Sequence, residues 1–517
     1  MTMQENPKRR AGGRSARHAA RADKHALPNL SGPGQTGGQY RPLSDAGVEQ
    51  IHRTAVRILS EIGMAQVPQV VVDKALEKGC HLNDAGRLCF PPAFIEDIVD
   101  GAPKQFVLHG QRPDRDFEVG GDQVYFGTGG AAVQVLDRGT GEYRPSTLKD
   151  LYDFARLVDQ LDNISWFTRC CVATDMVDPA DLDINTAYAI ASGTTKHVGT
   201  SFAIGEHVHP AVEIFDHILG GEGSFRKRPF CKVHISPVVS PLNYGEDAVS
   251  VMLACIEHNI PINSIIAAQA GATGPATLAA MLAQSTAETL AGLILVNLFA
   301  PGHPVIFSNW PFVIDLRTGA FSGGGGEIAV LNAASAQVSK YYGLPAGVAS
   351  SMTDSKVIDA QAGLEKGLTS LAAGLAGANL IYESAGMMAS IMGASFDAFA
   401  IDNEMLSYVQ RIMRGVEVTE ELLGFETIRD AVFGDGHFLG HAQTLAAMER
   451  DYVYPEIGDR QTIKVWQDAG ATDMHDRARL MVDGILGGPH PGHVSDAADQ
   501  AIRENHSILL PRASMQD

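Results

Sequence analysis

Through the middle of the chain, short runs of β-branched and aromatic residues alternate with apolar positions at helical spacing. The short runs predict strands at Gln123–Thr128, Ile164–Ala173, His197–Phe202, Cys231–Ser236, Ile262–Ala268, Pro304–Asn309, Pro345–Ser351 and Leu380–Ser384. Each is followed by a helical pattern: Leu148–Leu161, Leu182–Ser192, Pro210–Leu219, Glu246–His258, Ala276–Phe299, Gly326–Tyr342, Ala360–Ala376 and Ser395–Met413. Repeated strand–helix units predict an α/β fold with a parallel sheet buried under helices. Eight of them predict a closed (β/α)8 TIM barrel over residues 122–414. An open doubly wound sheet is the alternative. No GxGxxG follows the first strand, which weighs against a dinucleotide site.

The flanks read differently. Ser44 stands before an apolar-periodic stretch from Val48 to Ile62, a helix start signal. Further helical patterns open at Pro68 and after Pro91-Pro92, so residues 41–121 are expected to form a helical brace. Residues 415–517 are expected to form a helical extension and tail. Residues 1–40 carry Lys8, Arg9, Arg10, Arg14, Arg17, Arg21 and Lys24 against Glu5 and Asp23, with few apolar residues. Such a segment has too little apolar surface to offset its ordering entropy and reads as a disordered basic arm.

The composition narrows the setting. The chain has 517 residues, 45% hydrophobic and 19% charged, enough for a sizeable core. Its formal net charge is −20, which argues against nucleic acid as a partner. Six cysteines with no CxxC pair point to a reducing, cytoplasmic setting rather than a disulfide scaffold. No apolar run reaches the ~18–20 residues of a membrane span, and the N-terminus lacks the apolar core of a secretion signal.

A barrel places its site at the C-terminal ends of the strands. Those ends carry Phe126, Arg169, Phe202, His234, Gln269, Asn309, Trp310, Phe312, Asp354, Tyr382 and Glu383. Charges are sparse, and only Arg169 is suited to anchor an anion bidentately. Phe126, Phe202, Trp310, Phe312 and Tyr382 are candidates for an aromatic cage around a quaternary ammonium, with Asp354 or Glu383 adding attraction. Trp310 and Phe312 are two apart and share a strand face. Cys170, Cys171 and His234 could approach one another, but adjacent strand residues point oppositely. His207/His209 and His490/His493 are only pairs. No metal site is predicted. Ser322-Gly323-Gly324-Gly325-Gly326-Glu327 lacks the Lys-Ser/Thr of a P-loop and reads as a mobile lid.

Several stretches resemble the trimethylamine methyltransferase (MttB-like) family. They are Tyr342-Gly343-Leu344-Pro345-Ala346-Gly347, Thr353-Asp354-Ser355-Lys356 with Asp359-Ala360-Gln361-Ala362-Gly363, and Gly436-His437-Phe438-Leu439-Gly440-His441 leading to Tyr454-Pro455 and Asp459-Arg460. The likeness covers roughly residues 44–490. It implies methyl transfer from an amine to cob(I)alamin carried on a separate small corrinoid protein, with no tightly bound cofactor of the chain's own. Homo-oligomerisation is expected. Founding members contain pyrrolysine. Every position here is a standard residue, which turns the expected substrate from trimethylamine to a quaternary amine such as glycine betaine, as in family members lacking pyrrolysine. On that reading Gln269, Asn309, Asp354 and Glu383 are the catalytic candidates. Phe126, Arg169, Phe202, His234, Trp310, Phe312 and Tyr382 bind substrate, and His437 and His441 face the corrinoid. The competing readings are a metal-assisted lyase or hydrolase and a betaine-binding protein without turnover.

Overall fold

The computed structural model describes residues 31–515. The first thirty residues of the expected basic arm lie outside them. Two compact units are present, one of residues 33–415 with 455 onward, the other holding residues 416–454.

All eight expected strands form in the larger unit: β2 (Gln123–Phe126), β3 (Trp166–Thr168), β4 (His197–Thr200), β5 (Cys231–Ile235), β6 (Ile262–Ile266), β7 (Val305–Asn309), β8 (Ala346–Ala349) and β9 (Leu380–Tyr382). A ninth, β1 (Gln35–Thr36), comes from the segment read as arm. The sheet order is β1-β2-β9-β8-β7-β6-β5-β4-β3. The strands β2 to β9 are parallel, and β1 pairs antiparallel with β2, Gln35 opposite Val124.

The closed eight-stranded barrel expected from sequence does not form. The nine-stranded sheet is open, curled through 252° with its edges 15 Å apart. Strand β1 explains why. It occupies the edge of β2 that β3 would need for closure. Strand β3 meets the β2 segment only where β2 ends: the Ser165 N–H donates to the Phe126 carbonyl at 2.7 Å, and Gly127 and Trp166 form an isolated bridge. Gly127 is required there, because a Cβ would overlap the Trp166 indole.

The brace helices α1 (Asp45–Arg57), α2 (Gln69–Glu77) and α3 (Pro92–Gly101) form as read. Ser44 caps α1 by accepting from the Gly47 N–H at 3.1 Å. Between the strands run α4 (Leu148–Asp159), α5 (Pro179–Gly193), α6 (Val208–Ile218), α7 (Glu246–Glu257), α8 (Leu278–Phe299), α9 (Gly326–Tyr341), α10 (Ala360–Ala376) and α11 (Phe396–Arg414). Helix α8 is apolar on every side, and α1, α2 and α3 all pack against it. It is long and apolar enough to cross a membrane, yet 83% of its most apolar window is buried within the protein.

Candidate active site

Loops leaving the C-terminal ends of the strands enclose a cavity of about 570 Å³. Of the residues singled out in the sequence, Arg169, Phe202, His234, Trp310, Phe312 and Glu383 line it. Strand alternation brings Trp310 and Phe312 to the same side after β7, their rings 6.4 Å apart. Tyr382 lies a layer deeper, fully buried, its ring 5.2 Å from both Trp310 and His234 and 5.1 Å from Trp166. It supports the cavity wall from behind.

Glu383 is the deepest charged group of the lining, with only 3% of its surface exposed. Alternation alone would set it opposite Tyr382. Its backbone instead turns left-handed at φ 63°, and the carboxyl comes to the cavity. Gly129 and Gly130 make the niche: a Cβ at the first would stand 2.8 Å from Oε1, and at the second 2.6 Å from Oε2. Oε2 is buried without a hydrogen-bond partner. Burial pushes the carboxyl up to about 8, with Lys366 pulling weakly the other way. Lys366 is itself held by Asp402, 2.7 Å away, and both are buried. Asp402 also accepts from the Gly386 N–H at 2.7 Å, which ties the pair to the loop that carries Glu383.

Arg169 is the cation of the lining, which also carries the exposed carboxylates of Glu246 and Asp247 at the start of α7. Its guanidinium has no hydrogen bond or ion pair to any described residue. Burial lowers it, and the charge of Asp183 acts in opposition. His234, 3.4 Å from the Thr168 hydroxyl, is driven well below its ordinary value by burial and by Lys232 and Arg169, so it is neutral. Lys232, on the same strand face, lies over the Trp166 and Tyr382 rings at 4.9 and 5.5 Å. Burial drives it, too, well below its usual range. The cavity thus combines three aromatic faces, a neutral imidazole, one buried carboxyl, one unpaired guanidinium and the two exposed carboxylates of Glu246 and Asp247.

The remaining candidates stand elsewhere. Phe126 points to the helices and packs under Gly374 of α10. Asn309 faces α8 and donates to Thr286 at 3.4 Å. The Gln269 carbonyl accepts from the N–H groups of Ala272, Thr273 and Gly274 in a tight turn. The Asp354 carboxylate joins loops, as described below. His437 and His441 belong to the 416–454 unit, where His441 caps the helix Ala442–Arg450 by accepting from the Gln443 N–H. Sequence reasoning missed Thr168, Ile265, Ile391 and the buried Lys232. For Lys232 a signal existed: it lies two residues before His234 in an otherwise apolar strand. Among the described residues no three His, Cys, Asp or Glu side chains are grouped to hold a metal.

An aromatic and ionic cavity at the mouth of a curled parallel sheet is the architecture of a small-molecule enzyme. The family described as trimethylamine methyltransferase (MTTB) matches residues 10–507, and the chain belongs to it. It is 32% identical to trimethylamine methyltransferase MttB of Desulfitobacterium hafniense (strain DSM 10664 / DCB-2), over 84% of this chain and 87% of that one. It is 30% identical to glycine betaine methyltransferase of Desulfitobacterium hafniense (strain Y51), over 84% of this chain and 90% of that one. The crystal structure of the Methanosarcina barkeri monomethylamine methyltransferase (MtmB) aligns over 92% of this chain and 96% of its own, at 13% identity and a TM-score of 0.44. The protein is a methyltransferase.

Proposed function

We propose that the cavity binds a quaternary ammonium donor that also carries a carboxylate, of the glycine betaine type, and that its methyl group passes to cob(I)alamin on a separate small corrinoid protein. One observation carries this reading. The same apolar cavity holds an unpaired guanidinium, Arg169, and a buried carboxyl with a free oxygen, Glu383. A zwitterion offers a partner to each.

The chain's residues then have distinct tasks. Phe202, Trp310 and Phe312 present aromatic faces to the ammonium, and Glu383 balances its charge. Arg169 takes the carboxylate in its planar fork. The donor nitrogen already bears positive charge and leaves as a neutral tertiary amine, so no general acid is required. The acceptor supplies the nucleophile, and the residues here supply alignment and a dry cavity. Neutral His234 suits this, since it adds no competing charge.

The rim of the cavity fits a bulky acceptor. Val239 lines the cavity, and Val177, Leu316, Val357 and Met392 lie on loops that follow four other strands; all five are more than half exposed. Exposed apolar residues on loops at one end of a sheet suit a protein contact. We assign that contact to the corrinoid protein. The test mixes the chain, a reduced corrinoid protein and glycine betaine, and follows the visible spectrum and the dimethylglycine formed. Methylated corrinoid with stoichiometric dimethylglycine supports the reading. Its absence with every quaternary amine tried overturns it.

A further inference from the structure

Three consecutive residues other than glycine, Ala389, Ser390 and Ile391, hold left-handed backbone at φ 50°, 56° and 62°. L-residues normally visit that region singly. The run ends in Ile391, which lines the methyl-donor cavity. Its contacts show what sustains it. The Ala389 N–H donates to the Ser355 carbonyl at 2.8 Å, and the Ser390 N–H to the Thr353 carbonyl at 2.9 Å. The Ser390 hydroxyl donates to Asp354 at 2.8 Å. All three acceptors lie on the segment that follows β8. The Asp354 carboxylate also accepts from the Ser322 hydroxyl at 2.9 Å and the Gly323 N–H at 2.8 Å, on the glycine-rich loop before α9. Glu365 of α10 fixes this segment in turn, accepting from the Asp354 N–H at 2.8 Å and the Thr353 hydroxyl at 2.6 Å.

We propose that Asp354 is a positioning residue. Its carboxylate holds the left-handed turn so that Ile391 forms a wall of the cavity and limits the bulk of the groups on the donor nitrogen. This rests on the quaternary-amine reading above. Asp354 is not among the cavity-lining residues, and its three acceptor bonds all come from two other loops. The carboxylate sets a shape and takes no part in the chemistry.

The test compares wild type with Asp354→Asn, Ser390→Ala and Ser390→Thr. The first readout is hydrogen exchange of the Ala389 and Ser390 amides, with thermal melting to show that each variant is folded. Asp354→Asn and Ser390→Ala should exchange these amides at least about tenfold faster, as local opening becomes easier. The second readout is kinetic. KM for a trimethylammonium donor should rise about fivefold with kcat nearly unchanged, and preference over an N-ethyl analogue should fall. Ser390→Thr keeps the hydroxyl but adds a β-branch to left-handed backbone, so it should recover only part of each loss. Unchanged exchange in folded variants overturns the proposal, as does faster exchange with wild-type KM and bulk discrimination. If the wild type acts on no quaternary amine, the substrate reading fails by itself. Exchange then still decides whether Asp354 holds the turn.

Discussion

Glu383 lies where folding and ligand binding make opposite demands. Its folded carboxyl is raised from 4.5 to about 8, so the protonated form is the one the fold stabilises. That contribution is complete below the unfolded value and is lost as pH rises through about 8. A permanent cation asks for the ionised form. Affinity for a quaternary amine should therefore be greatest above about pH 8 and fall by up to about tenfold per unit below it, with proton release on binding. Calorimetry in buffers of different ionisation enthalpy measures that release. Glu383→Gln should abolish it, weaken binding at high pH, and flatten the stability profile between pH 5 and 8. Arg169→Gln separates the two ends of the donor. It should raise KM for a carboxylate-bearing donor by about 10-fold or more, the worth of a charge-assisted bond, and leave tetramethylammonium binding unchanged. At this scale the sequence was partly legible. Trp310 and Phe312 follow from period-two alternation, and the same rule separates Asn309 from them. Glu383 and Ile391 reach the cavity through left-handed backbone, which no hydrophobic pattern encodes.

Strands and helices were legible to within a few residues, because burial on both faces writes continuous apolar runs into a parallel sheet. Closure was not. It turns on Gln35–Thr36, two polar residues in a glycine-rich stretch with no strand pattern, which take the edge of β2 through backbone bonds alone. The pairing of α10 with α11 through Lys366 and Asp402 was equally silent, since neither helix marks these positions as buried. This pair makes a prediction at the level of elements. Lys366→Met leaves Asp402 buried without its partner and should cost about 3–5 kcal/mol in chemical denaturation. The double change Lys366→Met with Asp402→Leu should recover much of that loss.

The charge of the whole chain acts over longer distances. Seven basic and two acidic residues in positions 1–40 give +5, so the rest of the chain carries −25 within the net −20. An acidic body draws cations toward the cavity, and salt screens that attraction. KM for a quaternary donor should rise a few-fold from about 0.05 to 0.5 M salt, while a neutral amine of similar size shows little change. Helix α8 has a different consequence, in the order of synthesis. As it leaves the ribosome, its later partners β7 and α9 do not yet exist, and a helix with a membrane-span composition stands uncovered. Helices α1 to α3 have already been made. They pack on α8 in the finished fold and are the elements already available to cover its apolar surface. A chain lacking residues 41–103 should lose refolding yield to aggregation, and light scattering during refolding measures that loss.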